Sequence, residues 1–377
     1  MKNFEVYKLW PVELAKGLGA KLWDKDGKEY LDMYGGHAVI SIGHSHPGYV
    51  SAIADQLSKL GFYSNSVINS LQSELASKMG EISGYQDYSL FMCNSGAEAN
   101  ENAIKLASFQ TGKSRLLAFK GAFHGRTSGV VAATDNKAIR APYNRTSKVT
   151  FIPLNDISAA ERELAKGDYA AVIIEGIQGV AGIIMPHDKF LTDLRRLCDK
   201  HKVILILDEI QSGCGRTGRY FAHQFSGIRP DMITVAKGIA NGFPVGAVFI
   251  SPKIGAVAGM LGTTFGGNHL ACAAALAVID VMEREELMKN ATIIGDYIAE
   301  NIGNSVSVAE VRGRGLMLGI ELKEGYEKIK ERLLFQKFVF TGSAGSNVIR
   351  ILPPLNLTIK EADIFISAFK ELEKEIQ

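Results

Sequence analysis

The sequence predicts an α/β protein with a large domain, built on a mainly parallel sheet, and a smaller α+β domain. Two observations support this fold class. Between residues 89 and 236, short apolar segments alternate with segments of helical periodicity, as in a parallel sheet covered by helices on both faces. Beyond residue 307 the pattern changes to glycine-punctuated strands and a terminal helix, which is typical of an α+β unit.

The apolar segments of the large domain predict a series of buried strands. They are SLFMCN (89–94), VTFIPL (149–154), YAAVIIEG (169–176), VILILDEI (203–210) and MITVA (232–236). Two helices between them are well marked. One covers 156–166, with Asp156 as its N-cap and Gly167 as its stop. The other covers 187–202, because apolar residues recur at helical spacing at Phe190, Leu191, Leu194, Leu197 and Cys198.

The C-terminal part predicts strands within residues 308–322 and 347–357, followed by a helix that Thr358 and Glu361 open at capping-box spacing. The apolar face of this helix should pack on the strands through Ala362, Phe365, Ile366, Phe369 and Leu372. We therefore expect a large domain at 51–270 and a small domain at 271–377. Residues 1–50 should pack with the small domain, and a long helical stretch at about 268–302 should bridge the two.

Composition excludes several classes of function. A net charge of +2, with both signs mixed along the chain, gives no basic surface for nucleic acid or anionic membrane. The longest apolar uncharged segment, Leu270 to Ile279, is too short for a membrane span, and the N-terminus has no secretory pattern. Four dispersed cysteines indicate reduced thiols in the cytoplasm. His44 and His46 lack neighbouring ligands in sequence, so we expect no metal site.

Side chains that can bind ligands or take part in catalysis follow the ends of several apolar segments. In open parallel sheets, ligands bind at these strand ends. A small-residue turn that opens a helix offers backbone amides to a phosphate. A carboxylate, an aromatic ring, an arginine and an isolated lysine end other segments. The residues are Ser95, Gly96, Ala97, Phe123, His124, Arg126, Asp208, Glu209, Gln211 and Lys237.

Lys237 is the most informative of these residues, because it lies between two apolar segments rather than on a solvated face. An amine in a low-dielectric site has its charged form disfavoured and becomes a nucleophile toward an aldehyde. Pyridoxal 5'-phosphate requires a phosphate-binding turn, a buried acid, an aromatic side chain beside its ring and such an amine. The acid is needed as a partner for its ring nitrogen. The sequence therefore predicts a pyridoxal-phosphate enzyme.

A dinucleotide-binding reading competes with this interpretation. Gly213 to Gly218, GCGRTG, matches the GxGxxG fingerprint shortly after a strand. A dinucleotide turn must open a helix, however, and the residues that follow contain a glycine and a proline too close together for a good helix. Carboxylates at the end of the strand would also repel a diphosphate. We therefore expect a connecting turn, with a dehydrogenase or an inactive binding relative as the alternatives from other classes.

The residues resemble the class III pyridoxal-phosphate aminotransferases, and among them the acetylornithine and succinylornithine aminotransferase family. The resemblance covers the whole chain and is carried by YLDMYGGHAVISIGHSHP, NSGAEANENAIKLA, FKGAFHGRT, DEIQSGCGRTG, AKGIANGFPVGA, TTFGGNHLACAAALAVI and GRGLMLGIEL. It implies the type I aminotransferase fold and a homodimer whose active sites lie at the subunit interface.

The resemblance also implies a role for each matching residue. Lys237 would join the cofactor as a Schiff base and shuttle protons, Asp208 would pair with the pyridine nitrogen, Gln211 would contact the ring oxygen, and Phe123 would lie against the ring. The phosphate would bind Ser95, Gly96 and Ala97, together with Thr264 from the neighbouring subunit. Arg126 would grip the substrate α-carboxylate, and Thr263 stands where the family has a substrate-contacting serine.

The activity implied is a ping-pong transfer of the terminal amino group of N-acylated ornithine, acetyl or succinyl, to 2-oxoglutarate. The products are N-acylglutamate semialdehyde and glutamate, as in arginine biosynthesis. Other ω-amines, namely free ornithine and 4-aminobutyrate, stay open as donors, and the sequence does not separate biosynthesis from breakdown.

Two departures from the family pattern bear on the substrate. The stretch usually written EPIQGEGG reads EGIQGVAG here, so Val180 replaces a glutamate that, in related ornithine aminotransferases, pairs with the arginine matching Arg350. We hypothesise that Arg350 meets a substrate carboxylate or another acid, with a surface-facing arginine as the alternative. His37 replaces an aliphatic residue and indicates a modified pocket. A succinyl carboxylate would give both residues a partner.

Overall fold

The computed structural model describes residues 1–376 of the 377-residue chain. Its largest unit is a seven-stranded sheet in which only Gly246–Ile250 runs against its neighbours. The expected mainly parallel sheet is therefore confirmed. Across the sheet the strands lie in the order Ser89–Cys93, Gly246–Ile250, Met232–Val235, Ile204–Asp208, Tyr169–Glu175, Arg115–Phe119 and Val149–Ile152.

The continuous apolar character of these strands follows from helices on both faces. In Tyr169–Glu175 every residue is buried, but alternate side chains enter different cores. Val172 and Ile174 pack in the core under the helix Asp188–His201, while Ala171 and Ile173 pack in the core under the helix Gly96–Thr111. Because the side-chain period of a strand is two, a strand covered on both faces must be apolar at every position.

The two helices with clear start and stop signals form close to their expected limits. Asp156 caps the helix Ile157–Leu164 by accepting from the amide of Ala159 at 2.9 Å, and Gly167 follows with a φ of 80°. The second of the two is Asp188–His201. The other α-helices of eight or more residues are Pro47–Lys59, Ser70–Ser83, Gly96–Thr111, His269–Arg284, Leu287–Gly303, Ile329–Lys337 and Ile359–Ile376.

The N-terminal segment forms a second sheet with a strand from near the C-terminus. Three of its strands, Leu14–Leu18, Lys21–Asp24 and Glu29–Asp32, are antiparallel, and Val339–Phe340 pairs in parallel with the last of them. A strand of the first 50 residues is thus hydrogen-bonded to a strand of the C-terminal part. The domain limits at residues 50 and 270 stay a prediction.

The C-terminal part contains a four-stranded antiparallel sheet. The first predicted strand region is a hairpin of Val308–Arg314 and Met317–Leu322, and Val348–Ile351 and Gly342–Ala344 complete the sheet. The capping box is present, since Glu361 accepts from the amide of Thr358 at 2.8 Å while the Thr358 hydroxyl accepts from the amide of Glu361 at 3.3 Å. The five apolar residues expected on the helix face are all buried.

The single helical stretch expected at about 268–302 is wrong in one respect: it is two helices, His269–Arg284 and Leu287–Gly303. The chain turns at Glu286, which has a left-handed φ of 48°. The apolar periodicity continues across this turn, so the sequence pattern does not reveal it. The turn lets the second helix pack beside the strand Val308–Arg314. Within residues 1–376 no helix combines the length and apolarity needed to cross a membrane.

Candidate active site

The carboxyl ends of the central parallel strands bring the polar residues together, as the topology requires. Glu175 pairs in register with Asp208, and Asp208 pairs with Thr234 on the next strand. Lys237 follows two residues after the strand that contains Thr234 ends. Three neighbouring strands therefore deliver two carboxylates and one amine to the same edge of the sheet.

Lys237 begins a short 3-10 helix, Lys237–Ala240, in a left-handed conformation with a φ of 50°. Burial of the side chain lowers the pKa of its amine, while the charges of Asp208 and Glu175 act in the opposite direction and that of Arg350 lowers the pKa further. The net direction is downward. Lys237 is thus a buried amine with a weakened hold on its proton, which is the property required of a nucleophile.

Asp208 is buried and surrounded by hydrogen-bond donors. Its Oδ2 accepts from Nδ2 of Asn100 at 2.7 Å and faces Nδ1 of His124 at 2.8 Å, and its Oδ1 accepts from the amide of Ile210 at 3.1 Å. These contacts hold the Asp208 carboxylate in one orientation at the end of its strand.

Glu175, absent from the predicted site, is a second buried acid at this edge. It accepts from the amides of Phe123 at 2.9 Å and Gly179 at 3.2 Å. Burial raises the pKa of Glu175 to about 7, with His124 lowering it and Asp208 raising it. The continuous apolar strand that ends in this carboxylate was the available signal, since an acid that closes a fully buried strand is rarely solvated.

The turn after Ser89–Cys93 has the features of an anion site. Ser95 caps the 16-residue helix Gly96–Thr111, with its hydroxyl accepting from the amide of Glu98 at 3.2 Å. A Cβ on Gly96 would lie 2.8 Å from the side chain of Ile210, so any other residue would have to displace that side chain. Gly96 and Ala97 therefore begin a helix whose first amides have no partners within the helix.

Phe123 and Gln211 lie at the same edge of the sheet. The amide of Phe123 is bound by Glu175, so the position of its ring depends on that buried carboxylate. Gln211 donates from Nε2 to the carbonyl of His37 at 3.1 Å, while its Oε1 is buried without a partner among the described residues. A Cβ on Gly179 would lie 1.6 Å from this Oε1, so glycine is needed beside it.

The other predicted binding residues are more open. Arg126 is exposed, as is Thr264. Thr263 is half-buried, and its hydroxyl accepts from Nδ2 of Asn94 at 3.3 Å and from the amide of Gly266 at 3.1 Å. Thr263 thus contacts the residue immediately before Ser95, which places it beside the turn at the helix start.

Arg350 is 6% exposed, so the alternative of a surface-facing arginine is wrong. Its guanidinium donates to the carbonyls of Ser343 at 3.0 Å and Gly179 at 3.0 Å, and to the hydroxyl of Tyr34 at 2.9 Å. All three acceptors are neutral. The expectation that another acid replaces the missing glutamate is also wrong, because no ion pair to Arg350 occurs within residues 1–376.

His37 lies next to this arginine. Its Nδ1 is 2.5 Å from the Tyr34 hydroxyl, and its φ of 71° is left-handed. Although His37 is exposed, partial desolvation lowers the pKa of its ring, and the charges of Arg350 and Lys237 lower it further. Tyr34 accepts from Arg350, so its own proton is available to the neutral His37 ring.

The segment Gly213–Gly218 does not have the geometry of a dinucleotide turn. It forms successive turns and leads into the short 3-10 helix Ala222–Ser226 rather than an α-helix. A Cβ on Gly218 would lie 2.1 Å from Oγ1 of Thr292, so this segment packs tightly against the C-terminal part. The dismissal of a dinucleotide site agrees with this geometry.

The two histidines of GHSHPG each face one carboxylate, His44 that of Asp32 at 2.7 Å and His46 that of Glu285 at 3.0 Å. Within residues 1–376 no group of three or more metal-ligating side chains occurs.

Comparison with known proteins identifies the class. The family model for Aminotransferase class-III matches residues 5–372, so the chain belongs to the class-III aminotransferases. These are transaminases that use pyridoxal 5'-phosphate, and the fold is the type I aminotransferase fold shared with the solved structures described next.

Several individual aminotransferases are similar to this chain over nearly its whole length. The chain is 40% identical to an acetylornithine aminotransferase of Bacillus cereus, over 98% of this chain and 96% of the relative. The structure of an acetylornithine aminotransferase from Elizabethkingia anophelis is similar with a TM-score of 0.86 and 31% identity, covering 99% of this chain and 96% of that one. An ornithine aminotransferase from Toxoplasma gondii gives a TM-score of 0.92 with 28% identity, covering 99% and 92%.

The residues present fit pyridoxal phosphate. Gln211 has a buried oxygen without a partner, and the helix start at Gly96 offers unpaired amides. Asp208 supplies the negative charge that a protonated ring nitrogen needs, and Lys237 supplies the amine. Sequence reasoning missed Asn100, although it lies four residues after Gly96 and therefore on the same helix face.

Proposed function

We propose that this transaminase moves the terminal amino group of N-acetylornithine to 2-oxoglutarate, giving N-acetylglutamate semialdehyde and glutamate in arginine biosynthesis. The observation that carries the proposal is the buried guanidinium of Arg350, which has only neutral acceptors. An uncompensated buried cation is costly, so one of the two carboxylates of 2-oxoglutarate is its natural partner. The acetylornithine aminotransferases among the relatives support the acetyl group.

Each residue has a distinct part in this proposal. Pyridoxal phosphate, when bound, supplies an electron sink and an aldehyde for the amino group. Ser95, Gly96 and Ala97 bind its phosphate through the amides at the helix start, Phe123 lies on its ring, and Gln211 contacts its ring oxygen. Asp208 holds the positive charge of the ring nitrogen.

Lys237 carries the proton transfers. Its Nζ, with a lowered pKa, takes a proton from the carbon that bears the amino group of the donor and returns it to the carbon that accepts the amino group. One positioned amine that serves as both base and acid contributes on the order of 10²–10⁴-fold to the rate. Arg126 binds the α-carboxylate of the donor, and Thr263 contacts the substrate.

N-succinylornithine is the second candidate donor, and the residues around Arg350 favour it. Tyr34, His37 and Arg350 form a connected set that contains no carboxylate. A donor with a second carboxylate would bind this set as well as Arg126, whereas an acetyl group has no charge to offer it.

We also propose that the enzyme is a cytoplasmic homodimer. Thr264 is exposed, which is consistent with a hydroxyl that binds the cofactor phosphate of the partner subunit. Several large apolar side chains near the N-terminus are exposed as well, as expected of a surface that a second subunit covers: Phe4, Tyr7, Leu9 and Trp10.

A donor screen with 2-oxoglutarate tests the function. We expect kcat/KM to be highest for N-acetylornithine or N-succinylornithine and at least about tenfold lower for ornithine and 4-aminobutyrate. A preference for either unacylated amine would contradict the proposal. The ratio between the two acyl donors decides the second candidate, since a strong preference for acetyl would show that His37 and Arg350 do not bind an acyl carboxylate.

A further inference from the structure

Asn100 contacts Asp208 directly and lies entirely inside the protein. It is 0% exposed, on the helix Gly96–Thr111, and its Nδ2 donates to Oδ2 of Asp208 at 2.7 Å. The same Nδ2 donates to the carbonyl of His124 at 2.8 Å. Both amide protons are therefore used, and both are directed at acceptors beside the predicted cofactor site.

Thr234 fixes the orientation of this amide. Its hydroxyl, also buried, donates to Oδ1 of Asn100 at 2.7 Å. If the Asn100 amide were turned over, its oxygen would face the carboxylate of Asp208 and the carbonyl of His124, and its NH2 group would face the hydroxyl of Thr234. One donor and two acceptors thus determine a single orientation.

Two strands, a helix and a loop meet here, which explains why the arrangement is rigid. Asp208 and Thr234 are paired in register on adjacent strands, and Asn100 contacts both from the helix that covers this face of the sheet. His124 Nδ1 faces the same Oδ2 of Asp208 from the loop after Arg115–Phe119. A carboxylate bound by donors from a helix and a loop has little freedom to rotate.

We propose that Asn100, oriented by Thr234, is a positioning residue that holds the carboxylate of Asp208 directed toward the ring nitrogen of the cofactor. The proposal rests on the role of Asp208 given under Proposed function. Neither Asn100 nor Thr234 contacts the reacting atoms. Their effect on the reaction passes through Asp208, whose fixed negative charge makes the bound ring a better electron sink.

Two variants remove the interaction in different ways. Asn100→Asp has the same shape but replaces both donors by acceptors, so it places a second carboxyl group against Oδ2 of Asp208. Thr234→Val has nearly the same volume and removes only the hydroxyl that orients the amide. Thr234→Ser restores the hydroxyl and is the conservative rescue, and Thr150→Val makes the same type of change on the strand Val149–Ile152, at the far edge of the sheet.

The readouts are the dissociation constant for pyridoxal phosphate, measured by titration of resolved enzyme, and the visible absorption spectrum of the holoenzyme. Because Asn100→Asp replaces a donor to the Asp208 carboxylate by an acceptor, we expect it to raise the dissociation constant about tenfold or more and to shift the visible band. Its kcat should fall while KM changes little. Thr234→Val should show a smaller change in the same direction, Thr234→Ser should restore both readouts, and Thr150→Val should match the wild type.

The variant Asp208→Asn tests the role of Asp208 separately from the positioning role of Asn100 and Thr234. If Asp208→Asn weakens cofactor binding and shifts the spectrum while Asn100→Asp and Thr234→Val do neither, the positioning role is overturned and the role of Asp208 stands. If Asp208→Asn itself leaves both readouts unchanged, the role of Asp208 under Proposed function fails. If Asn100→Asp does not fold, Thr234→Val against Thr234→Ser decides: equal spectra and equal affinities would overturn the proposal.

Discussion

Arg350 donates to the hydroxyl of Tyr34 over 2.9 Å, and the same hydroxyl lies 2.5 Å from Nδ1 of His37. A buried cation therefore connects to the site through neutral groups alone. Because residues 1–376 provide no anion for it, a carboxylate of the substrate can bind without first displacing one. Val180, which follows the Gly179 carbonyl that Arg350 binds, supplies no carboxylate.

Replacement of Arg350 should weaken substrate binding. We expect Arg350→Ala to raise KM for 2-oxoglutarate about tenfold or more, since a charged hydrogen bond contributes about 1.5–3 kcal/mol. Arg350→Lys should lose less, because it keeps the charge but not the planar fork. Steady-state kinetics with both substrates measure the effect. Unchanged apparent affinities for donor and acceptor would rule out contact between Arg350 and a substrate.

Val180→Glu tests the same arginine in a different way, because it adds a carboxylate near Arg350 instead of removing the arginine. Val180 follows Gly179, whose carbonyl already binds Arg350. We expect the new carboxylate to compete with the substrate and to raise KM for 2-oxoglutarate several-fold. Val180→Gln is the matched control without charge and should behave like the wild type. Equal kinetics for the two variants would show that the missing glutamate has no bearing on acceptor binding.

Lys237→Ala should abolish transamination and the yellow colour of the bound cofactor. The reason is that the amine of Lys237, which lies at this edge of the sheet with its pKa lowered by burial, would be gone. Borohydride reduction of the wild type followed by peptide mapping provides the direct measurement. A label on any other lysine, or none, would contradict the assignment.

The pKa of Glu175 predicts a pH dependence of stability. Burial raises this pKa from 4.5 to about 7, so the folded protein holds the proton more tightly than the unfolded chain does. The resulting cost is absent below about pH 4.5, grows as the pH rises to about 7, and is constant above. Full ionisation costs about 3 kcal/mol, so Glu175→Gln should lose less stability than the wild type between pH 5 and pH 8.

Urea unfolding at several pH values measures this difference. Glu163→Gln is a suitable control, since Lys166 and Tyr169 lower the pKa of Glu163 and its stabilising effect is lost as the pH falls. Identical pH profiles for wild type and Glu175→Gln would contradict the raised pKa of Glu175.

Arg216 should be important for stability rather than for chemistry. It is 2% exposed, and burial lowers its pKa to about 10. It donates to the carbonyls of Leu316 at 3.1 Å, Pro353 at 2.6 Å and Ile40 at 3.4 Å. Arg216→Met leaves these carbonyls without a partner, and we expect a loss of on the order of 3 kcal/mol in the free energy of unfolding. The exposed neighbour Arg219, replaced in the same way, should change it little.

The sequence was sufficient where a signal is local. Apolar segments, the Asp156 cap and the capping box of Thr358 and Glu361 each depend on a few adjacent residues, and each appears where expected. Lys237 and Asp208 could be predicted from the sequence for the same reason, since both end an apolar segment. Asn100 and Thr234 could not be predicted, because their importance comes from contacts across the sheet. The turn at Glu286 was hidden because the apolar periodicity continues through it.

The sheet that joins the two ends of the chain has a consequence for how this protein is made. Leu31 donates its amide to the carbonyl of Phe338, and Met33 donates to that of Phe340, so the first strands find their last partner only after synthesis has passed Phe340. Until then Glu29–Asp32 presents an open edge, of the kind that pairs with other chains. Contacts between such distant residues also slow folding. The newly synthesised enzyme therefore passes through a late period in which an unfinished sheet is exposed to association with its neighbours.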